Sequence, residues 1–192
     1  MQDLRRKSCV SMDRSLLGCV SNGKIERIIQ IVEASLRSNT KTVIVSSSCA
    51  MLGIVRHFIQ QKGIQLLQFD GTLSLKARET VMRTFQSKNT DFNILLLSLK
   101  AGALGLTLTA ASNMILVDHS YNPFIEKQAI DRIYRFGQNK KVTVYRLVVE
   151  ESIEERILEI QDRKLNMVHE IFDEQIMPAS SEYSLLFDEL LC

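Results

Sequence analysis

The stretch SLKAGALGLTLTAASNMILVDHSYNPFIEKQAIDRIYRFGQ, residues 98–138, decides the fold class. At its centre Met114-Ile-Leu-Val117 is a short apolar run between polar residues, the pattern of a strand buried on both faces. Asn122-Pro123 then reads as an N-cap with proline at the first helical position, and Gly137 as a stop, so the spacing predicts a helix over 123–136. On it Ile125, Ala129, Ile133 and Phe136 recur as an apolar stripe, and Gln128, Asp131, Arg132 and Arg135 as a polar one. Each arginine offers a rigid, permanently charged fork of donors that matches phosphate oxygens, so two on one face form a candidate anion clamp. Periodicity alone is served equally by a solvated, salt-bridged face of Glu126, Asp131, Arg132 and Arg135.

Outward from this stretch, strand and helix patterns alternate. Ile25, Ile28, Ile29, Val32 and Leu36 have helical spacing, and Thr42-Val-Ile-Val-Ser46 reads as a buried strand. Helices are expected over 50–61 and 74–87, with strands at 65–69, 92–98, 114–117 and 142–148. The alternation predicts an α/β fold: a mostly parallel sheet flanked by helices on both faces, its strand order left open by periodicity. Ser152-Ile-Glu-Glu155 is a capping box opening a long helix with apolar Ile153, Ile157, Ile160 and Leu165. Four segments result: a connector over 1–22 with at most a short helix near 12–17, the sheet domain over 23–150, a C-terminal helix over 151–177, and a tail over 178–192. In the tail Leu185, Leu186, Phe187, Leu190 and Leu191 form a short amphipathic segment.

With 192 residues, 45% of them apolar and 24% charged, the chain is long enough for one well-buried domain. A net charge of +2 permits nucleic-acid binding without demanding it. Cys9, Cys19, Cys49 and Cys192 make no C-x-x-C pair and have no histidine at zinc-ligand spacing. Free thiols and no metal site are therefore expected. His57, His119 and His169 are scattered, and core or surface roles are expected of them. No apolar run reaches about 18 residues, so an intracellular, soluble chain is expected. Gly18 to Lys24 mimics the glycine and lysine spacing of a Walker A loop, but Ile25 stands where that loop carries a hydroxyl and no strand pattern precedes Gly18.

Residues 128–138, QAIDRIYRFGQ, resemble the Q-x-x-D-R-x-x-R-x-G-Q signature of the Swi/Snf-type DNA-dependent ATPases, a branch of the superfamily-two helicase-like motors. Other segments share the resemblance. The segment around Lys24-Ile25 is similar to the opening of that family's second RecA-like lobe, and Phe69-Asp-Gly-Thr72, with Glu79 and Phe85 beyond, to its L-D-G-S/T segment. Asp118-His-Ser-Tyr-Asn-Pro123 resembles D-x-x-W-N-P, with Tyr121 at the tryptophan position. Ser98-Leu-Lys-Ala-Gly102, with Gly105 beyond, resembles the segment that links the ATP cleft to the DNA track; Leu99 rather than threonine is similar to the postreplication-repair and transcription-termination branch. Ser46-Ser-Ser-Cys-Ala50 departs from the family's F-S-Q, leaving Ser47 at the glutamine position.

The resemblance implies a second RecA-like lobe with the long C-terminal helix as its brace. Arg135 would be the arginine finger and Arg132 its companion. Gly102, Gly105, Gln128, Asp131 and Gln138 would line the nucleotide side, and Thr72, Ser98, Lys100 and Tyr121 the DNA side. ATP and Mg2+ would be bound mainly by a first RecA-like lobe, in cis or in trans, because this chain carries neither an intact Walker A loop nor a D-E-x-H-like acidic strand end. The implied function is half of an ATP-dependent DNA translocase or chromatin remodeller, inactive alone, nuclear, with the double-stranded DNA backbone and chromatin proteins as partners. The alternatives are a catalytically inactive DNA- or chromatin-binding module that keeps the fold, or an unrelated small nucleotide-binding domain.

Overall fold

The computed structural model describes residues 22–87, 90–102 and 105–173; residues 1–21, which hold nearly all of the connector and the start of the Gly18–Lys24 pattern, and the leucine-rich tail lie outside them. Five strands, β1 (Thr42–Ser46), β2 (Leu66–Phe69), β3 (Ile94–Ser98), β4 (Asn113–Leu116) and β5 (Thr143–Arg146), form one parallel sheet in the order β2-β3-β1-β4-β5. Helices α1 (Asn22–Arg37), α2 (Cys49–Gln61), α3 (Leu75–Gln86), the single turn α4 (Leu99–Gly102), α5 (Pro123–Ile130) and α6 (Ile153–Asp173) surround it.

The β1 to β2 crossover runs one way across the sheet and the β3 to β4 crossover the other. Parallel crossovers share one hand, so the two directions put helices on opposite faces. On one face α1 and α2 pack Ile28, Val32, Leu52 and Ile59 against Ile44, Ile94, Leu96 and Ile115. On the other, Phe85 of α3, Ala101 of α4 and Ala129 of α5 meet Val43, Val45, Leu95, Leu97 and Met114. That sandwich is why β1 and β3 are buried at every position while edge strands β2 and β5 are not.

Two local expectations need correction. The helix predicted to reach Phe136 stops at Ile130. Its start is as read, with Asn122 Oδ1 accepting the Phe124 N–H at 3.1 Å and Pro123 in the first turn. Its end is set from outside: the Arg132 carbonyl, which a continuing helix would give to the amide four residues on, accepts the Leu108 N–H at 2.8 Å. The chain tightens into turns through 131–137, and Gly137 takes the left-handed conformation at φ 98°. The apolar stripe changes with it. Ala129 and Ile133 are buried, but Ile125 is 40% exposed and Phe136 fully so, while Pro123 and Glu126 face inward.

The second correction is at α6. Ser152 Oγ accepts the Glu154 N–H at 3.1 Å, and it is Glu154, not Glu155, that turns back to accept the Val149 N–H at 2.9 Å. Glu154 is chosen because Lys24 of α1 meets it at 2.5 and 2.7 Å, with both side chains largely buried. The lysine of the apparent phosphate loop thus ties the first helix to the last. Lys24→Ala should cost about 2 kcal/mol in urea unfolding, below the cost of breaking a fully buried pair because Glu154 keeps some solvent and its backbone partner. A loss under about 0.5 kcal/mol would mean the pair is ornamental.

Candidate nucleotide and nucleic-acid interface

The residues singled out in the sequence fall into two groups, at two ends of the sheet. The first is a row along the carboxyl ends of the strands. Thr72 follows β2, Ser98 ends β3 with Lys100 exposed in α4 just beyond it, Ser47 follows β1, and Tyr121 follows β4. In sheet order β2-β3-β1-β4 these span three strand spacings, about 14 Å. The row crosses the point where the β1 and β4 connections diverge to opposite faces, where open parallel sheets hold ligands.

Hydrogen bonds preform this edge. Asp118, after β4, accepts Ser46 Oγ at 2.5 Å and the Ser47 N–H at 2.8 Å, which closes the divergence between β1 and β4. Ser47 therefore contributes its backbone here, and its side chain is exposed. Asp70, 5% exposed, accepts the Thr72 N–H at 2.9 Å, the Thr72 hydroxyl, and Gln68 Nε2 at 2.7 Å. Arg78 bonds back to the carbonyls of Leu73 and Gly71, at 3.0 and 3.1 Å. Burial raises the Asp70 pKa, but the hydrogen bonds from Thr72 and Gln68 and the nearby Arg78 charge outweigh it, and the carboxyl sits below its ordinary value. Ser98 is 3% exposed, so only its neighbours reach outward, whereas Tyr121 is 54% exposed.

The second group lies at the far end of α5. There the segment after Gly105, itself left-handed at φ 72°, is stitched to the arginine turn. Leu108 N–H bonds the Arg132 carbonyl, Arg135 Nη1 donates to Thr107 Oγ1 at 3.2 Å, and Gln138 Nε2 donates to the Ala111 carbonyl at 2.7 Å. Gln86 of α3 closes the group with a bond to the Thr107 carbonyl. Arg135 is exposed, and Arg132 is half-buried. Gln128 and Asp131 are exposed on the same part of the chain. Gln138 is more committed than its sequence role suggests, since its Oε1 also accepts the Lys140 N–H at 3.0 Å. Gly102 ends α4.

Sequence reasoning missed Glu126, which it considered only as a member of the alternative, solvated face. Its side chain is fully buried, and Oε1 accepts the Ser120 N–H at 2.8 Å and Gln161 Nε2 at 2.7 Å. Arg146 Nη2 stands 3.0 Å from Oε2, and His119 Nδ1 3.5 Å from Oε1. Burial raises the Glu126 pKa, but His119, the Ser120 N–H, the Arg146 charge and Gln161 together pull it below the ordinary value. The signal available in sequence was spacing: Pro123, Glu126, Ala129 and Ile133 are one helical face, with an acid in it. A folded pKa held low stabilises fully above the unfolded value, and that contribution is lost as pH falls through the folded one. Urea midpoints should therefore be flat from neutrality to about pH 5 and fall below about pH 4, with Glu126→Gln removing part of the acid decline. An equally steep decline in the variant would remove Glu126 from the account. Among the described residues no group of three His, Cys, Asp or Glu is placed to hold a metal ion.

A five-stranded parallel sheet in this order, flanked by helices on both faces, defines a RecA-like lobe. Residues 23–137 match the helicase conserved C-terminal domain, and the chain belongs to that family, as the second lobe of a Swi/Snf-type superfamily-two protein. It is 38% identical over 148 residues to transcription termination factor 2 of Drosophila melanogaster, covering 76% of this chain and 14% of that protein. To the helicase-like transcription factor CHR27 of Arabidopsis thaliana it is 43% identical over 150 residues, 78% of this chain and 14% of the relative. To the DNA repair protein RAD5B of Arabidopsis thaliana it is 36% identical over 170 residues, 86% and 13%. The chain thus spans about one seventh of these relatives. The crystal structure of the C-terminal part of the Fun30 ATPase domain superposes with a TM-score of 0.69 at 27% identity, over 80% of this chain and 55% of that one.

Proposed function

We propose that this chain is the second motor lobe of an ATP-dependent DNA translocase of the repair or transcription-termination kind, working in the nucleus on the backbone of double-stranded DNA, with chromatin proteins among its partners. The observation that carries the reading is the stitched turn. Arg135 is exposed in the turn just beyond α5, held by Thr107, and the turn is pinned by the bond from the Leu108 N–H to the Arg132 carbonyl, at the other end of the sheet from the edge bearing Thr72, Lys100 and Tyr121. One lobe so built can meet DNA phosphates at one end and nucleotide phosphates, presented by another lobe, at the other. Arg135 acts as the finger and Arg132 as its companion, Gly102, Gly105, Gln128, Asp131 and Gln138 shape the nucleotide side, and Ser98 supports the DNA side. The chain supplies no phosphate loop and no acidic pair for Mg2+, so ATP and its metal rest mainly on a first lobe, and this chain alone is inactive.

The test is to join a first RecA-like lobe to the chain, or add it in trans, and measure ATP hydrolysis with and without DNA. Turnover that appears only with both lobes and rises with DNA supports the reading. Stable association with no turnover favours the inactive binding module instead. The chain by itself should bind DNA weakly and without sequence preference, through backbone phosphates. For two or three neutralised phosphates, affinity should fall about ten- to fortyfold between roughly 50 and 200 mM salt. Fluorescence anisotropy reads this directly, and salt-independent binding would rule out the electrostatic account.

A further inference from the structure

The loop that follows β4 is held from every side, and the grip of α6 on it converges on one buried carboxylate. Asp118 is bound to the end of β1, as described, and His119 Nε2 lies 3.0 Å from the Leu147 carbonyl just after β5. Ser120 gives its N–H to Glu126 and its carbonyl to Gln161 Nε2. The Tyr121 carbonyl accepts Lys164 Nζ at 2.9 Å. Gln161 and Lys164 are three apart on α6, hence on one face, and Gln161 is 1% exposed although it lies on the last helix of the domain. Gln161 Nε2 thus touches both the Ser120 carbonyl and the carboxylate that holds the Ser120 amide.

We infer that Glu126 and Gln161 form a joint through which α6 fixes the 118–122 loop, so that displacing α6 releases Tyr121 and the start of α5 and turns the motor site down. Glu126 and Gln161 are positioning residues here; neither reaches the exposed edge. The regulatory half of this inference rests on the proposed motor function, while the mechanical half does not. A desolvated carboxylate suits such a joint. Removing Gln161 leaves Oε1 with one strong donor fewer in a place water does not reach, so the loop and helix loosen together.

Two arms test it. In the chain itself, hydrogen exchange of Gln161→Ala should speed exchange of the Ser120 amide about tenfold or more while β1 and β3 amides keep their protection. In a protein carrying both lobes, the same variant should lower DNA-stimulated kcat about tenfold with the KM for ATP unchanged, which general destabilisation would not separate. Gln161→Leu keeps the bulk of the side chain without its donor and should match Gln161→Ala in both readouts, and a parent-like Gln161→Leu would mean that packing and not these hydrogen bonds holds the loop. Unchanged exchange at Ser120 overturns the joint. Faster exchange with unchanged kcat overturns its control of the site. A parent protein with both lobes but no turnover strikes down the motor reading and the control that rests on it, and the exchange arm still decides the joint.

Discussion

Arg135→Ala, placed in a protein that carries both lobes, is expected to lower DNA-stimulated ATP turnover by about 10³ to 10⁵, the contribution of an arginine that stabilises charge on a transferring phosphoryl group. That corresponds to about 4 to 7 kcal/mol of transition-state free energy. Folding should scarcely notice. The side chain is exposed and donates a hydrogen bond to the Thr107 hydroxyl, so the change in unfolding free energy should stay within about 0.5 kcal/mol. Lysine should rescue little, because a point charge on a flexible stem does not reproduce the planar fork. Arg132→Ala should also be damaging, with part of its effect in ATP affinity, since the half-buried Arg132 side chain lies three residues before Arg135 in the same turn. Single-turnover kinetics on folded variants decides the point. Arg135→Ala within a few-fold of the parent would return this turn to the status of a solvated surface.

Ile133→Ala should produce the largest loss of stability among the changes near the site. Ile133 is fully buried among Phe85, Leu108, Met114 and their neighbours, and it stands between the two arginines. Truncation removes buried methyl and methylene groups and leaves a cavity that the sheet beneath cannot collapse to fill, at a cost of about 2 to 4 kcal/mol. Ile133→Val should cost only about 1 kcal/mol. Urea unfolding monitored by circular dichroism measures both. With both lobes present, Ile133→Ala should also depress turnover at temperatures where it remains folded, because Arg132 and Arg135 lose their shared anchor. An Ile133→Ala protein as stable as the parent would mean that the turn is held by its hydrogen bonds alone.

The sequence carried the element order well because that order is written in local patterns. Thr42–Ser46 and Ile94–Ser98 are short, nearly uninterrupted apolar runs, and only a sheet covered on both faces accommodates them. Asn122 and Pro123 set the start of α5 through groups within two residues of each other and of the Phe124 amide, so the cap was legible. The arginine signature was legible too, since it is a linear pattern. The far end of α5 was not. Whether Arg132 continues a helix depends on its carbonyl, and Leu108, remote in the chain, takes that carbonyl first.

Polar side chains show the same division. Glu126, Lys24 and Glu154 are charged residues on helices, and local periodicity assigns such residues to solvent. Their partners come from elsewhere: Gln161 and Arg146 for Glu126, and one another for Lys24 and Glu154 across the sequence. Sequence by itself determined the parallel α/β framework, the helix start and the arginine pattern, because hydrophobic period and capping act between near neighbours. Only the tertiary structure decided the strand order, where the arginine helix ends and which charges are buried, because a desolvated polar group is stable only where distant segments bring its partners within hydrogen-bonding reach.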